Sequence, residues 1–183
     1  MSPLVFDTFA DVVERRLGGR TLSAALEIGA GGWTLLSIPA FAQARRVALN
    51  LRFDKLTEQL EQTERVIGNS NAMDFPDETF DCVMSCSAIE HDKYFWKSVA
   101  ETKRVLKKGG LFIVGAPIYM TLPTDKDYTT LTYARHGLAY NADFYRFSEQ
   151  AVREVFFEAY SEVTDEIIVR REPNPYLVAA GRK

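Results

Sequence analysis

The feature that most constrains this chain is an alternation, along most of its length, of short apolar runs with helical or glycine-punctuated segments. Residues 23–28, 45–50, 65–68, 80–86 and 111–116 read as strands. A strand reached by a crossover lies parallel to its predecessor, so the pattern predicts a parallel sheet covered by helices on both faces. Two further runs, 163–170 and 176–180, are separated by Glu172-Pro173-Asn174-Pro175. That connection is too short for a crossover and demands an antiparallel hairpin. The expected sheet has seven strands, five parallel plus the hairpin. The 183 residues suffice for one sizeable core and hardly for two, so a single domain over 1–183 is expected.

Local signals place the helices. Ser2-Pro3 is an N-cap with proline in the first turn, followed by Phe6, Phe9, Val13 and Leu17 at helical spacing and closed by Gly18-Gly19. A short helix near 33–43 is interrupted by Pro39. Asp54 can cap a helix reaching about residue 63. A helix over 93–106 carries Phe95, Val99, Thr102 and Leu106 on one stripe and closes at Gly109-Gly110. Ser148 can cap a last helix with Val152, Val155, Phe156 and Ala159 on its apolar face. One stretch, 117–147, breaks the spacing. It carries Tyr119, Tyr128, Tyr133, Tyr140, Phe144, Tyr145 and Phe147, too many aromatics for a disordered tail, and reads as an ordered lid or pocket wall.

Composition excludes several function classes. Apolar residues make up 46% of the chain, charged residues 26%, and the net charge is −3, without the basic stripe of a nucleic-acid binder. Only 103–108 is locally basic, where a helix end welcomes cations. Cys82 and Cys86 share one predicted strand and stand too far apart to bridge; two buried thiols suit a reducing cytoplasm. His and Cys are too few for a zinc site, so no metal is expected. We expect no signal peptide and no membrane span, because neither a charged-then-apolar leader nor a long apolar run is present.

The sharpest local signal is Leu26-Glu27-Ile28-Gly29-Ala30-Gly31-Gly32, where glycines directly follow a buried strand. Such a turn lets a ligand approach the backbone, although it also serves as a plain strand-to-helix connection. A nicotinamide fingerprint would place a third glycine at Thr34, and a phosphate loop would need a Gly-Lys-Ser/Thr sequence that is missing. What fits is a cofactor with a nucleoside but no phosphate to cradle.

Four stretches carry a family resemblance. Glu27-Ile28-Gly29-Ala30-Gly31 resembles motif I of class I S-adenosylmethionine-dependent methyltransferases, of the type 11-like kind. Residues 71–81, Asn-Ala-Met-Asp-Phe-Pro-Asp-Glu-Thr-Phe-Asp, are similar to the family's stretch after the third strand. Ala88-Ile89-Glu90-His91 resembles the segment after the fourth strand, and Arg104-Val105-Leu106-Lys107-Lys108-Gly109-Gly110 resembles Arg-x-Leu-Lys-Pro-Gly-Gly. The order and intervals agree over roughly residues 22–160. The resemblance implies a Rossmann-like α/β fold and S-adenosylmethionine as cofactor. It implies that Gly29, Ala30 and Gly31 face the methionine part and ribose, and that Glu27 reaches toward the ammonium. Asn50 would meet the ribose hydroxyls, and Asn71 would accept from the adenine amino group. The backbone of Ala72 and Met73 would fix the ring, and Ser85 to Ser87 would line the site beneath the methyl group. Asn50 and Asn71 depart from the family's commoner acids, and Trp33 replaces a frequent third glycine. An amide oxygen still accepts a hydrogen bond, but charge-assisted bonds are roughly twice as strong.

Catalytic candidates are the two histidines, His91 and His136. Histidine titrates near neutrality, and His91 follows the fourth strand, at the edge where open α/β sheets hold ligands. His91 also reads as a residue that merely borders the next helix, and His136 as a loop histidine with no role. The resemblance implies methyl transfer to a small-molecule acceptor, with oxygen the first expectation. Asp143-Phe144-Tyr145-Arg146-Phe147-Ser148 resembles a stretch of small methyltransferases near glycan or natural-product pathways. The competing readings are a cofactor-binding or regulatory module of the same fold and a nicotinamide-dependent reductase, the latter disfavoured by Thr34 and Asn50. The short segment before motif I leaves one side of the cleft open, which a homodimer partner or a carrier-bound substrate would cover.

Overall fold

The structure is a computed structural model that describes residues 1–53, 57–122, 129–131, 144–169 and 175–183. Its centre is a seven-stranded sheet in the order β3-β2-β1-β4-β5-β9-β8. The strands are β1 (Ala24–Ile28), β2 (Arg45–Asn50), β3 (Glu64–Ile67), β4 (Phe80–Cys86), β5 (Leu106–Pro117), β8 (Ser161–Val169) and β9 (Tyr176–Arg182). The first five are mutually parallel, and β9 pairs antiparallel with both β5 and β8. The expected Rossmann-like sheet with a terminal hairpin is the one observed. A separate two-stranded antiparallel pair, β6 (Met120–Leu122) with β7 (Thr129–Leu131), follows β5 within the aromatic stretch.

Both sheet faces are covered, and the strands show it by alternation. On β5, Leu111 and Ile113 join one core while Phe112, Val114 and Ala116 join the other. Helix α1 (Pro3–Leu17) packs Phe9, Val12, Val13 and Leu17 onto the first face. Its start is set by the Ser2 hydroxyl, which accepts from the Val5 N–H at 3.3 Å, with Pro3 in the first turn. Helix α3 (Phe95–Val105) and the segment from Phe147 onward cover the other face with Val99, Val105, Phe147, Val152, Phe156 and Phe157. Phe156 is fully buried and packs against Phe95 and Phe147 with ring centroids 5.4 and 4.9 Å apart. Truncating a phenylalanine in such a place costs about 3–5 kcal/mol.

Several boundaries differ from the sequence expectation. The helix near 33–43 is two 3-10 turns, Leu35–Ser37 and Pro39–Phe41, split where Pro39 cannot continue an N–H ladder. Helix α2 is only Glu58–Glu61 and is capped by Thr57, whose hydroxyl accepts from Leu60 N; Asp54 lies outside the described residues. Strand β5 begins at Leu106, directly after α3, and Lys107 to Gly110 form a bulge between the Phe80–Leu106 and Cys82–Leu111 pairings. Ser148 does cap α4 (Glu149–Ala151), accepting from Ala151 N at 3.0 Å, but α4 widens at once into a π turn, Val152–Phe156. Val155 is therefore exposed, Ala159 lies beyond the helix at φ +57°, and Phe157 takes the buried place. Among the described residues, no helix is long and apolar enough to cross a membrane.

Candidate active site

The carboxyl ends of β1, β2 and β4 converge on one cavity of about 630 Å³. This is the sheet edge at which open α/β folds hold ligands. Three of the four motif stretches contribute, and Arg104–Gly110 does not. Gly29 and Gly31 come from the turn after β1, Asn50 from the end of β2, Asn71 from the turn after β3, and Ser87 and His91 from the segment after β4.

The glycine turn is built for close approach. Gly29 has φ +77°, and a Cβ there would stand 2.4 Å from the Ala88 Cβ, so only glycine lets the two strand ends meet. Gly31 faces open space, with no atom within 4 Å of a Cβ placed on it. Three side chains brace the turn. The Asn50 amide donates to the Ala30 carbonyl at 2.8 Å, the Thr57 hydroxyl donates to the Gly32 carbonyl at 2.5 Å, and Gln59 accepts from Thr34 N at 3.4 Å.

Glu27 lines the cavity yet is 3% exposed. One of its carboxylate oxygens accepts from the Thr34 hydroxyl and, at 2.8 Å, from Leu35 N, closing the first 3-10 turn. Burial pushes its pKa up to about 7 against those two bonds. A carboxylate held this far from water gains most from a cationic ligand.

On the adenine-side wall expected from the resemblance, Asn71 donates through its amide nitrogen to Asp92 at 2.6 Å and to Ser98 at 2.8 Å. Asp92 also accepts from Tyr94 N at 2.8 Å and lines the cavity. On the wall after β4, Ser87 holds φ +50°, a conformation that favours glycine. Its hydroxyl lies 3.0 Å from the Tyr176 hydroxyl, which also lies 3.3 Å from the Cys86 sulfur. Burial raises the Cys86 thiol to about 12, so it is no nucleophile at neutral pH. His91, two-tenths exposed at its side chain, stands 3.9 Å from the Glu90 carboxylate.

Four expected cofactor residues are not on the cavity wall. Ala30 and Ser85 are fully buried, and Met73 is buried. The Ala72 N–H is spent on the Asn69 carbonyl at 3.1 Å and the Met73 N–H on Glu101 at 2.7 Å. Arg104 donates to the carbonyls of Met73 and Phe75, to Asp77 and to Glu101, all within 2.9 Å, so it ties the loop after β3 to α3. His136, Tyr128, Tyr133 and Tyr140 lie outside the described residues.

Sequence reasoning missed Asp92, Lys93 and Tyr94 on the wall, although Asp92 directly follows the quoted fourth-strand motif. It noted Trp33 only as a departure. Trp33 lines the cavity and stacks on Phe6 of α1 with centroids 5.4 Å apart, so α1 closes one side of the mouth. Among the described residues, no cluster of metal-ligating side chains occurs.

These residues fit the cofactor implied by the motifs. A buried carboxylate awaits a cation, an open glycine backbone admits a ribose, and an amide oxygen beyond β3 is left to accept. Comparison with known proteins agrees. Residues 26–114 match the model of a family described as a methyltransferase domain. Among curated proteins, none matches the sequence significantly. A solved structure of a Burkholderia thailandensis 1,6-didemethyltoxoflavin-N1-methyltransferase, with its substrate and S-adenosylhomocysteine bound, superposes with a TM-score of 0.71. It shares 16% identity, and the match covers 97% of this chain and 77% of that one. Haemonchus contortus phosphoethanolamine N-methyltransferase 2, solved with S-adenosylmethionine, also gives 0.71 at 13% identity, over 97% of this chain and 52% of that longer one. The [4+2]-cyclase SpnF gives 0.69 at 13% identity, over 97% and 80%. Residues 26–114 thus match a methyltransferase domain, and the glycine turn, sheet order and cavity are set in a Rossmann-like fold shared with these solved structures.

Proposed function

We propose that this enzyme transfers a methyl group to a small-molecule acceptor that enters between Trp33, His91, Tyr94 and Phe144. The observation that carries this reading is the single cavity shared by the glycine turn, Asn71 and the segment after β4, with aromatic side chains on its mouth side. Bound S-adenosylmethionine supplies an activated methyl group on a sulfonium centre. Glu27, Gly29, Gly31, Asn50 and Asn71 form the cofactor side. Ser87, His91, Tyr94 and Phe144 form the acceptor side, and aromatic faces attract cations as well as apolar acceptors. From the aromatic stretch, Phe144 lines that acceptor side.

Oxygen is the acceptor atom we favour, with His91 as the group that takes the hydroxyl proton. The new carbon–oxygen bond forms as the carbon–sulfur bond breaks, and S-adenosylhomocysteine leaves. In-line positioning supplies much of such a rate, so His91 adds to the reaction without being its whole basis. Nitrogen is the rival atom, since two of the structures compared are named as N-methyltransferases. The test is incubation with methyl-labelled S-adenosylmethionine and a panel of phenols, sugars and amines, with products identified by mass and fragmentation. An O-methylated product is expected; an N-methylated one would reassign the acceptor atom. Tight binding of S-adenosylhomocysteine without turnover on any panel or cell extract would favour a non-catalytic module instead. The side chain of Asn50 is the observation on that side, because it braces Ala30 and accepts from Leu51 N where the family commonly has an acid.

A further inference from the structure

We propose that Asp92 is a specificity-determining positioning residue: it holds the Asn71 amide nitrogen so that the amide oxygen is left to accept from a ligand, which selects a 6-aminopurine nucleoside over a 6-oxopurine one. This inference rests on the cofactor reading above and goes beyond it by assigning the base-reading function to a side chain outside the glycine turn and the strand ends.

An asparagine amide presents two N–H donors on one side and an oxygen acceptor on the other, and the two ends are nearly alike in shape. Asp92 removes the ambiguity, because a carboxylate only accepts. Its Oδ2 lies 2.6 Å from the Asn71 nitrogen, and the Ser98 hydroxyl donates to that same oxygen. Its Oδ1 is taken by the Tyr94 N–H at 2.8 Å, which fixes the carboxylate in turn. With the Ser98 proton directed to Asp92, the Ser98 oxygen also accepts from the Asn71 amide nitrogen, at 2.8 Å. Ser98 is 1% exposed on α3 and lies 2.7 Å from the Ser70 hydroxyl, so the network is anchored in the packed side of the wall. The amide nitrogen is therefore held toward Asp92 and Ser98, with the oxygen on the other side of the amide. The Asn71 Oδ1 takes no hydrogen bond from the described residues, and Asn71 lines the cavity. The Asn71 backbone is held too, its N–H donating to the Asn69 side-chain oxygen at 2.9 Å.

Flipping the amide would set its oxygen against the Asp92 carboxylate and leave Ser98 facing a second acceptor. That arrangement loses two bonds and adds repulsion between acceptors. A ligand carbonyl at this point would therefore face another oxygen, whereas an amino group would donate to an oxygen polarised by the charge behind it. Asp92 thus restores, from one layer back, the negative charge that Asn71 itself lacks.

The test is calorimetric titration with S-adenosylhomocysteine and S-inosylhomocysteine, which differ only in the amino or oxo group at position 6 of the purine and its ring proton. The native protein is expected to prefer the adenosyl compound by at least about tenfold. In Asp92→Asn the facing pair can flip together, and the preference is expected to fall to within about threefold. Ser98→Ala leaves Asp92 in place and should keep most of the preference, which separates base reading from general damage to the wall. Should Asp92→Asn fail to melt cooperatively, Asp92→Ala, which also removes the obligate acceptor, takes its place. A native protein without preference, or an undiminished preference in the Asp92 variant, overturns the proposal while leaving the cofactor reading intact. Failure of the native protein to bind either nucleoside overturns both.

Discussion

Glu27 gives the prediction with the most structure behind it. Its carboxyl is raised from 4.5 to about 7 by burial, so between those values the folded protein holds a proton that the unfolded chain has released. Stability conferred relative to an unshifted carboxyl is therefore present at low pH and lost as pH rises from about 4.5 to 7. One pKa unit is about 1.4 kcal/mol, so a shift of this size withdraws about 3 kcal/mol across that window. Glu27→Gln keeps an oxygen for Thr34 and Leu35 but does not titrate. Urea unfolding of both proteins from pH 4.5 to 8 should give curves that nearly coincide at the acid end. They should diverge toward neutrality, with the variant more stable above pH 7 by about 2–3 kcal/mol. Cofactor binding should show the opposite preference. A ligand cation beside Glu27 favours the ionised form, so affinity for S-adenosylhomocysteine should rise with pH toward 7. Proton release should appear as a dependence of the binding enthalpy on buffer ionisation, absent in Glu27→Gln. Parallel stability curves, together with pH-independent binding in the native protein, would refute the assignment of Glu27 as a buried carboxylate serving the cofactor.

The two glycines of the turn should separate structure from binding. Gly31→Leu, facing open space, should leave the melting temperature nearly unchanged and cost at least about 2–3 kcal/mol of cofactor affinity by titration. Gly29→Ala meets Ala88 at positive φ and should instead lower stability by about 1–3 kcal/mol. At Asn50, Asn50→Ala removes the brace on Ala30 and should weaken cofactor binding by about 1 kcal/mol. Asn50→Asp sets a carboxylate against the same carbonyl, so tighter binding of this variant would show that residue 50 reads the ribose more than it braces the turn. His91→Ala should lower turnover by roughly 10²-fold or more while leaving S-adenosylhomocysteine affinity within about twofold; equal losses in both would reduce His91 to a wall residue.

The sequence by itself determined the layers and the edge at which the site lies. Strand–helix alternation forces crossovers, and the short connection Glu172-Pro173-Asn174-Pro175 forces the hairpin, because both follow from chain reach rather than from distant contacts. The glycines after β1 announced a close backbone approach for the same local reason. Short helical pieces were less legible. The π turn at Val152–Phe156 moves Phe157 inward in place of Val155, a choice made by packing against β5 and α3 and invisible to helical periodicity. The side-chain roles were decided by tertiary structure alone. Asn50 turning to Ala30, Met73 handing its N–H to Glu101, and Tyr176 reaching Cys86 and Ser87 from β9 are pairings between residues 20, 28 and about 90 positions apart. The Asp92–Asn71–Ser98 lock likewise joins the turn after β3 to the start of α3. Motifs fix which residue types stand at a site, but a hydrogen bond depends on partners being within about 3 Å in register, and only the packed sheet sets that distance.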